Sequence, residues 1–296
     1  MNGSADRKKG IILVLIGASL WGASGVAVQY LFENKQLDPT WLVTVRMFFA
    51  GFIMLFVEWL RGKDIWQPWR DYYYAKQILL FGVVGMMATQ YTYYLAIHYG
   101  NAATATILQY LMPVIILGYS ILSSKRLPQS KEVIAVVLAM VGTYMLITKG
   151  QWNTLAISDT VLFWGIASAF ACAFYTVYPR ELLFKFPSSW VIGWGMVVGS
   201  TVLMPFCLFE PVKGILDWQT FLAMAVVIFL GTIVAFYTYL ESTKYIKASE
   251  VSALASLEPL TSVILSVGLL GVEFGLVDSL GIVCILGTVF ILSRNK

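Results

Sequence analysis

The stretch VSALASLEPLTSVILSVGLL, residues 251–270, is apolar or small almost throughout and carries one charge, Glu258, directly before Pro259. A second isolated charge, Arg46, stands in VRMFFAG. Three roles fit the carboxylate. It binds a cationic substrate group or a coupling proton, it pairs with a buried base such as Arg46, or it stays protonated and bonds a carbonyl freed by Pro259. Arg46 either anchors helices to one another or binds a substrate carboxylate, because a guanidinium in apolar surroundings needs carboxylate or carbonyl partners.

Around these charges the spacing gathers polar and aromatic side chains. Gln90, Tyr93 and Tyr94 follow i, i+3, i+4 and share a helix face, as do Thr106, Gln109, Met112 and Pro113. The candidate substrate-binding set is Gln90, Tyr93, Gln109, Tyr110, Met112, Tyr175, Tyr239 and Glu258, with Glu258 expected to face a central cavity within reach of Gln109, Tyr93 or Tyr239. Taken singly, each aromatic member also fits helix packing or an interfacial belt. No catalytic residue, metal site or cofactor is expected. Cys172, Cys207 and Cys284 lie at unrelated spacings in apolar runs and read as small core residues. His98, the single histidine, sits beside Tyr99, Gly100 and Asn101 and reads as interfacial, and there is no GxxxxGK[ST] phosphate loop.

These side chains require a membrane around them. With 59% hydrophobic and 12% charged residues and a mean hydropathy of +0.77, the chain has too little polar surface to coat a soluble globule. A spanning helix needs roughly 20 apolar residues, and ten segments qualify, near residues 11–32, 39–60, 76–98, 101–122, 131–148, 158–178, 189–209, 218–240, 248–270 and 274–293. With the amino terminus inside, Lys35, Lys149 and Lys213 are the basic residues left on the outer side, Arg46 lies within a span, and the others fall on the cytoplasmic side. Both termini are therefore expected in the cytoplasm, and the net charge of +4 is a topology signal that implies no nucleic-acid partner. The expected partners are the bilayer, a small-molecule substrate and a coupling proton. The loop DIWQPWRDYYYAK, residues 64–76, is expected along the cytoplasmic interface.

The chain also matches itself. GMMATQYTYYLAIHYGNAATATILQYLMPV, from Gly85, aligns with GTIVAFYTYLESTKYIKASEVSALASLEPL, from Gly231, at a constant offset of 146. Tyr91, Thr92 and Tyr93 fall on Tyr237, Thr238 and Tyr239, and Pro113 falls on Pro259. At 149 Ala18, Ser19 and Trp41 meet Ala167, Ser168 and Trp190, and at 145 Gly142 and Thr143 meet Gly287 and Thr288. Helices one to five, residues 1–150, thus recur as six to ten, residues 151–296. Five is odd, so the second copy enters from the opposite face, giving inverted halves with a substrate site between them. Pro113 and Pro259 are matched helix kinks of the fold, whereas Glu258 aligns with Met112 and is not required by it. Small residues, Ala102, Ala103 and Ala105 in the fourth helix and Ala248, Ser249, Ser252, Ala253, Ala255 and Ser256 in the ninth, read as close-packing faces.

Here the sequence resembles the drug/metabolite transporter superfamily, EamA-like branch. The likeness rests on the ten spans, on WGAS at Trp21–Ser24, on Arg46 in VRMFFAG, on a proline in the fourth and ninth helices, and on LEPLTSVI followed by GVEFGLVDSLGIVCILGTVFIL. Glu273 takes the acidic position of that signature, whereas the first half has SSKRLP with Lys125 and Arg126 instead. The resemblance implies an all-α inner-membrane secondary carrier that exports small organic metabolites, amino acids or related compounds first among them. A cationic amphiphile or drug fits the lining equally. The rivals from other classes are a membrane-embedded enzyme, which would need clustered nucleophile and base, and a non-transporting sensor.

Overall fold

The computed structural model describes residues 3–149, 157–208, 213–242, 245–246, 254–255 and 257–293. Every regular element among them is helical. We number the helices α1 (Gly3–Glu33), α2 (Pro39–Leu60), α3 (Tyr72–Tyr99), α4 (Ala102–Ser124), α5 (Ser130–Thr148), α6 (Asp159–Lys185), α7 (Ser188–Leu208), α8 (Trp218–Tyr239), α9 (Leu257–Leu270) and α10 (Leu276–Ser293). Among the described residues, α1 to α4 and α6 to α8 are long and apolar enough to cross a membrane, and α9 and α10 are shorter apolar helices. Of the small residues expected to pack in the ninth helix, Ala248, Ser249, Ser252, Ala253 and Ser256 lie outside the described residues, while Ala255 is buried.

Local chemistry sets the helix ends. Asp38 caps α2 by accepting from the Trp41 amide at 2.9 Å, with Pro39 pre-set for the first turn. Asp71, Asn101 and Asp217 do the same for α3, α4 and α8 through the amides of Tyr73, Thr104 and Thr220. Pro113 breaks α4 into Ala102–Gln109 and Met112–Ser124, more sharply than the expected kink. Pro259 stands in the first turn of α9. The loop after α2 stays largely exposed, at Asp64, Trp66, Gln67 and Arg70 among others, and is anchored at two residues. Its Ile65 carbonyl accepts from the Trp194 indole at 2.8 Å, and Trp66 and Trp69 pack on that ring, so Ile65 and Pro68 are buried against α7.

The helices pair in a pattern. Helix α2 packs along α7, α5 along α10, and the first segment of α4 meets α9. Helix α3 packs on α6 and α8 on α1, while α4 packs on α6 and α9 on α1. Exchanging helices one to five with six to ten leaves this set of contacts unchanged. Glycines permit the closest approaches: a Cβ on Gly142 would lie 2.6 Å from the Gly281 carbonyl, and one on Gly281 would lie 2.8 Å from that of Gly142. Both α3 and α8 widen into a π-helix midway, over Phe81–Met87 and Val226–Val234. The 146-residue offset lays the first of these onto residues 227–233 of the second.

Candidate functional site

Between these pairs lies a cavity of about 240 Å³, walled by α1, α2, α3, α4, α6, α8, α9 and α10. Every residue of the candidate binding set lines it, namely Gln90, Tyr93, Gln109, Tyr110, Met112, Tyr175, Tyr239 and Glu258, together with Arg46 and Pro113. Pro259 is buried beside it. Helical spacing carries the result, since the i, i+3, i+4 faces chosen on α3 and α4 both turn inward.

Arg46 lines the cavity from α2. Its Nε donates to Thr232 Oγ1 at 2.8 Å, and Nη1 donates to the Tyr94 hydroxyl at 2.7 Å, with the guanidinium 5.3 Å from the centre of that ring. Thr232 lies in the π-helical part of α8, where its own hydroxyl donates to the Val227 carbonyl five residues back. The wider turn thus sets Thr232 as an acceptor for a cation on α2. Among the described residues no carboxylate lies within ion-pair distance of Arg46, so the pairing with Glu258 weighed from sequence is not made. Arg46 Nη2 keeps no protein partner among the described residues. On α3, Thr89 Oγ1 is buried without a partner, and Gln90 is 8% exposed with no side-chain hydrogen bond among the described residues. Buried polar groups are ordinarily satisfied, so unsatisfied ones on a cavity wall suit a ligand.

Glu258 lines the cavity from α9. Its Oε2 lies 3.1 Å from the Tyr110 hydroxyl, which also lies 2.8 Å from the Ala255 carbonyl, the one freed by Pro259. A phenol has one hydrogen. Donating it to Ala255 leaves the contact with Glu258 to be made by a proton on the carboxyl, and donating it to an ionised Glu258 leaves the carbonyl bare. Sequence reasoning places Gln109, Tyr93 or Tyr239 beside this acid, but the hydrogen bond comes from Tyr110. Gln109 instead donates to Ser168 of α6 at 2.6 Å, and Tyr93 shares a 2.7 Å bond with Thr106, whose hydroxyl donates to the Ala102 carbonyl.

Aromatic rings complete the lining. Trp21 of α1 packs against Phe236 and Tyr239 of α8, with ring centres 5.0 and 4.9 Å apart, and Tyr175 stacks on Phe81. Trp21, Phe236 and Thr89 belong to the lining and are missing from the sequence-derived set. Trp21 stood in the WGAS stretch; Thr89 and Phe236 gave no signal apart from flanking Gln90 and Tyr237. Cys172, expected to be a core residue, is half-buried and lines the cavity beside Thr176. Cys207 is likewise half-buried, with its thiol 3.3 Å from Thr44 Oγ1, and Cys284 is half-buried. His98 packs edge-on against Phe32 and Tyr99, away from the cavity. Glu273 is exposed in the turn between α9 and α10.

The model of the EamA-like transporter family matches the chain twice, over residues 8–148 and 159–294. A protein described as an uncharacterized inner membrane transporter, YicL, of Salmonella typhimurium is 38% identical over 289 residues, covering 98% of this chain and 96% of its own. An uncharacterized transporter of Archaeoglobus fulgidus is 27% identical over 282 residues, covering 95% of each chain. A solved crystal structure sharing 17% identity superposes with a TM-score of 0.66 over 96% of both chains, a likeness of fold alone.

Proposed function

The chain belongs to the EamA-like transporter family, and from that premise we propose that it is a secondary carrier that exports small zwitterionic metabolites by alternating access. It is an integral inner-membrane protein, and its ten helices form two inverted repeats, residues 1–150 and 151–296, with both termini in the cytoplasm. The contact pattern that survives exchange of the halves and the matched π-helices support the inversion. The excess of basic residues on one side supports the orientation. Alternate exposure then follows from rocking one half against the other about the central site.

The observation that carries the substrate reading is one cavity lined by opposite charges that are not paired with each other. Arg46 with Gln90 and Thr89 suits a carboxylate, Glu258 suits an ammonium group, and the rings of Trp21, Tyr175 and Tyr239 suit the apolar part between them. At about 240 Å³ the space falls just under the roughly 300–1,000 Å³ of ordinary ligand cavities, which favours a small molecule. A cationic amphiphile is the second reading, favoured by Glu258 among aromatic rings but opposed by the guanidinium in the same cavity. An embedded enzyme would need a nucleophile beside a base, and the Cys172 thiol has no histidine near it on the cavity wall.

Purified protein screened against amino acids, their decarboxylated amines and their amides by thermal shift tests this directly, since a ligand of the folded state raises its apparent stability. Zwitterions should raise the midpoint and both half-charged analogues should not. Glu258→Gln should keep the fold and lose the response. Stabilisation by the amines alone would replace the zwitterion reading with the cationic one.

A further inference from the structure

Three buried side chains of α9 and α10 carry polar atoms with no partner among the described residues: Ser262 Oγ and Ser266 Oγ on α9, and Asp278 Oδ1 in the first turn of α10. Both serines are 0% exposed and Asp278 is 1% exposed. Positions 258, 262 and 266 are spaced by four, so the serines stand one and two turns beyond Glu258 on a single helix face. A hydroxyl within a helix has an easy partner in the carbonyl one turn back. Thr44, Thr92, Thr106, Thr176 and Thr238 all take it. Ser262 and Ser266 do not.

Asp278 is the repeat mate of Glu132 at the 146-residue offset. In the first half Arg126 donates to both oxygens of Glu132, at 2.8 and 2.6 Å, and the Gln129 amide donates at 2.7 Å. In the second half Asp278 receives the Gly275 amide on Oδ2 at 2.8 Å, and no cation lies within ion-pair distance among the described residues. The chain turns from α9 towards α10 at this end. The Val272 amide returns to the Ser266 carbonyl at 3.2 Å, and Val263 and Phe274 pack in one cluster with Ile282 and Ile285 of α10.

We propose that Ser262 and Ser266 hold a thread of buried water that carries protons between Glu258 and the far end of α9, where Asp278 receives them. This deepens the transport reading and rests on Glu258 exchanging a proton during the cycle. The carboxyl of Glu258 gives its proton to the water at Ser262, that water passes one on to the water at Ser266, and the excess proton ends on the Asp278 carboxylate or in solvent. The reverse sequence restores Glu258. Buried water needs two to four polar partners, and the unpaired hydroxyls supply them in a region that is otherwise apolar. The titratable groups that share the cavity with Glu258 are Tyr110 of α4, Tyr93 and Tyr94 of α3, Cys172 and Tyr175 of α6, Tyr239 of α8 and Arg46 of α2, with none from α1. Of the helices that pack on α10, α5 brings Tyr144 and ends in Lys149, and α4 carries Tyr119. The thread therefore reaches Glu258 without opening the substrate cavity.

Infrared spectroscopy of the full-length protein in lipid, referenced to Glu258→Gln, identifies the carbonyl band of a protonated Glu258. Its rate of shift after a change to heavy water measures proton exchange at that carboxyl. In the double variant Ser262→Ala/Ser266→Ala the exchange should slow by roughly ten-fold or more, because the water loses its anchors, while Asp278→Asn should slow it less. Unchanged exchange in the double variant overturns the thread. A raised thermal midpoint in that variant does so as well, since deleting dry, unpaired hydroxyls stabilises. Absence of a protonated Glu258 band at any pH is a different result, and it defeats the proton role of Glu258 itself.

Discussion

The two halves share their π-helices and their pairings, yet they differ wherever the cavity is charged. Arg46 on α2 reaches the π-helix of α8, while its repeat mate on α7, Gly195, lies against Phe81 and Met86 of the π-helix of α3, where a Cβ would come within 3.0 Å of both. Glu258 on α9 corresponds to Met112 on α4, and both line the cavity. Each half therefore contributes one charge, from non-equivalent helices, and the cavity is polarised as a result. The backbone carries what is repeated and the chemistry resides in what is not. A symmetric pair of charges would have cancelled the polarity that separates an ammonium from a carboxylate.

Exchanging residues between mates tests this contrast most severely at Arg46. Arg46→Gly should cost about 3 kcal/mol or more, because Tyr94 and Thr232 lose a charged partner and a void opens. Thermal unfolding in detergent would show it, and a midpoint near wild type would mean the guanidinium anchors nothing. Glu258→Met should behave oppositely, since the first half already folds with Met at that position. Its stability should change by no more than about 1 kcal/mol while substrate uptake into inside-out vesicles is lost, and a destabilised protein would return the acid to a structural role.

The contrast between Glu132 and Asp278 should be smaller. Arg126→Ala strands a buried carboxylate and should lower the thermal midpoint, whereas Asp278→Asn removes a charge that has no counter-ion and should leave it near wild type or raise it. Equal losses in the two variants would show that Asp278 has a partner of its own. The smallest effect lies where the halves meet through their loops. Lys35 donates to Asp217 at 2.6 Å and to Gln219 at 2.7 Å, and the hydrogen bond from Lys35, with that from the Thr220 amide, holds the Asp217 carboxyl at about 2, below its ordinary 3.8. Hydrogen bonding to Asp217 also raises Lys35 above its ordinary 10.5. The contribution of the carboxylate is thus complete above about pH 4 and is lost as the pH falls through 2, while that of the lysine is lost only above 10.5. Asp217→Asn should flatten the acid side of a plot of thermal midpoint against pH, and an unaltered acid limb would remove the clasp from the account.

Much of this was legible because membrane helices write their length and facing directly into sequence. Apolar runs located the helices to within a few residues at most ends, and i, i+3, i+4 spacing put Gln90 and Tyr93, then Gln109 and Met112, on the faces that line the cavity. Partners were not legible, because they depend on the azimuth of one helix against another. Tyr110 rather than Gln109 meets Glu258, since the break at Pro113 turns the end of α4, and a break is visible in sequence while its angle is not. Thr232 was invisible as the acceptor for Arg46 because a π-helix leaves no compositional mark. Asp278 was passed over for Glu273, which matched a familiar pattern, whereas burial depends on where the turn at Gly271 lets the chain return.

The matched π-helices also order events in time. A π-helical turn holds one residue more than an α-helical one, so each is the trace of a residue inserted into a helix that already existed. Independent insertions would have little reason to fall at the same place in α3 and α8. The insertion is therefore older than the duplication, and the ancestral half already carried a widened turn when two of its copies faced each other. Arg46 and Glu258, each without a charged mate in the other half, are what the two copies do not share. The pore-like space was inherited, and its selectivity resides in the positions where the copies, written in a single gene, differ.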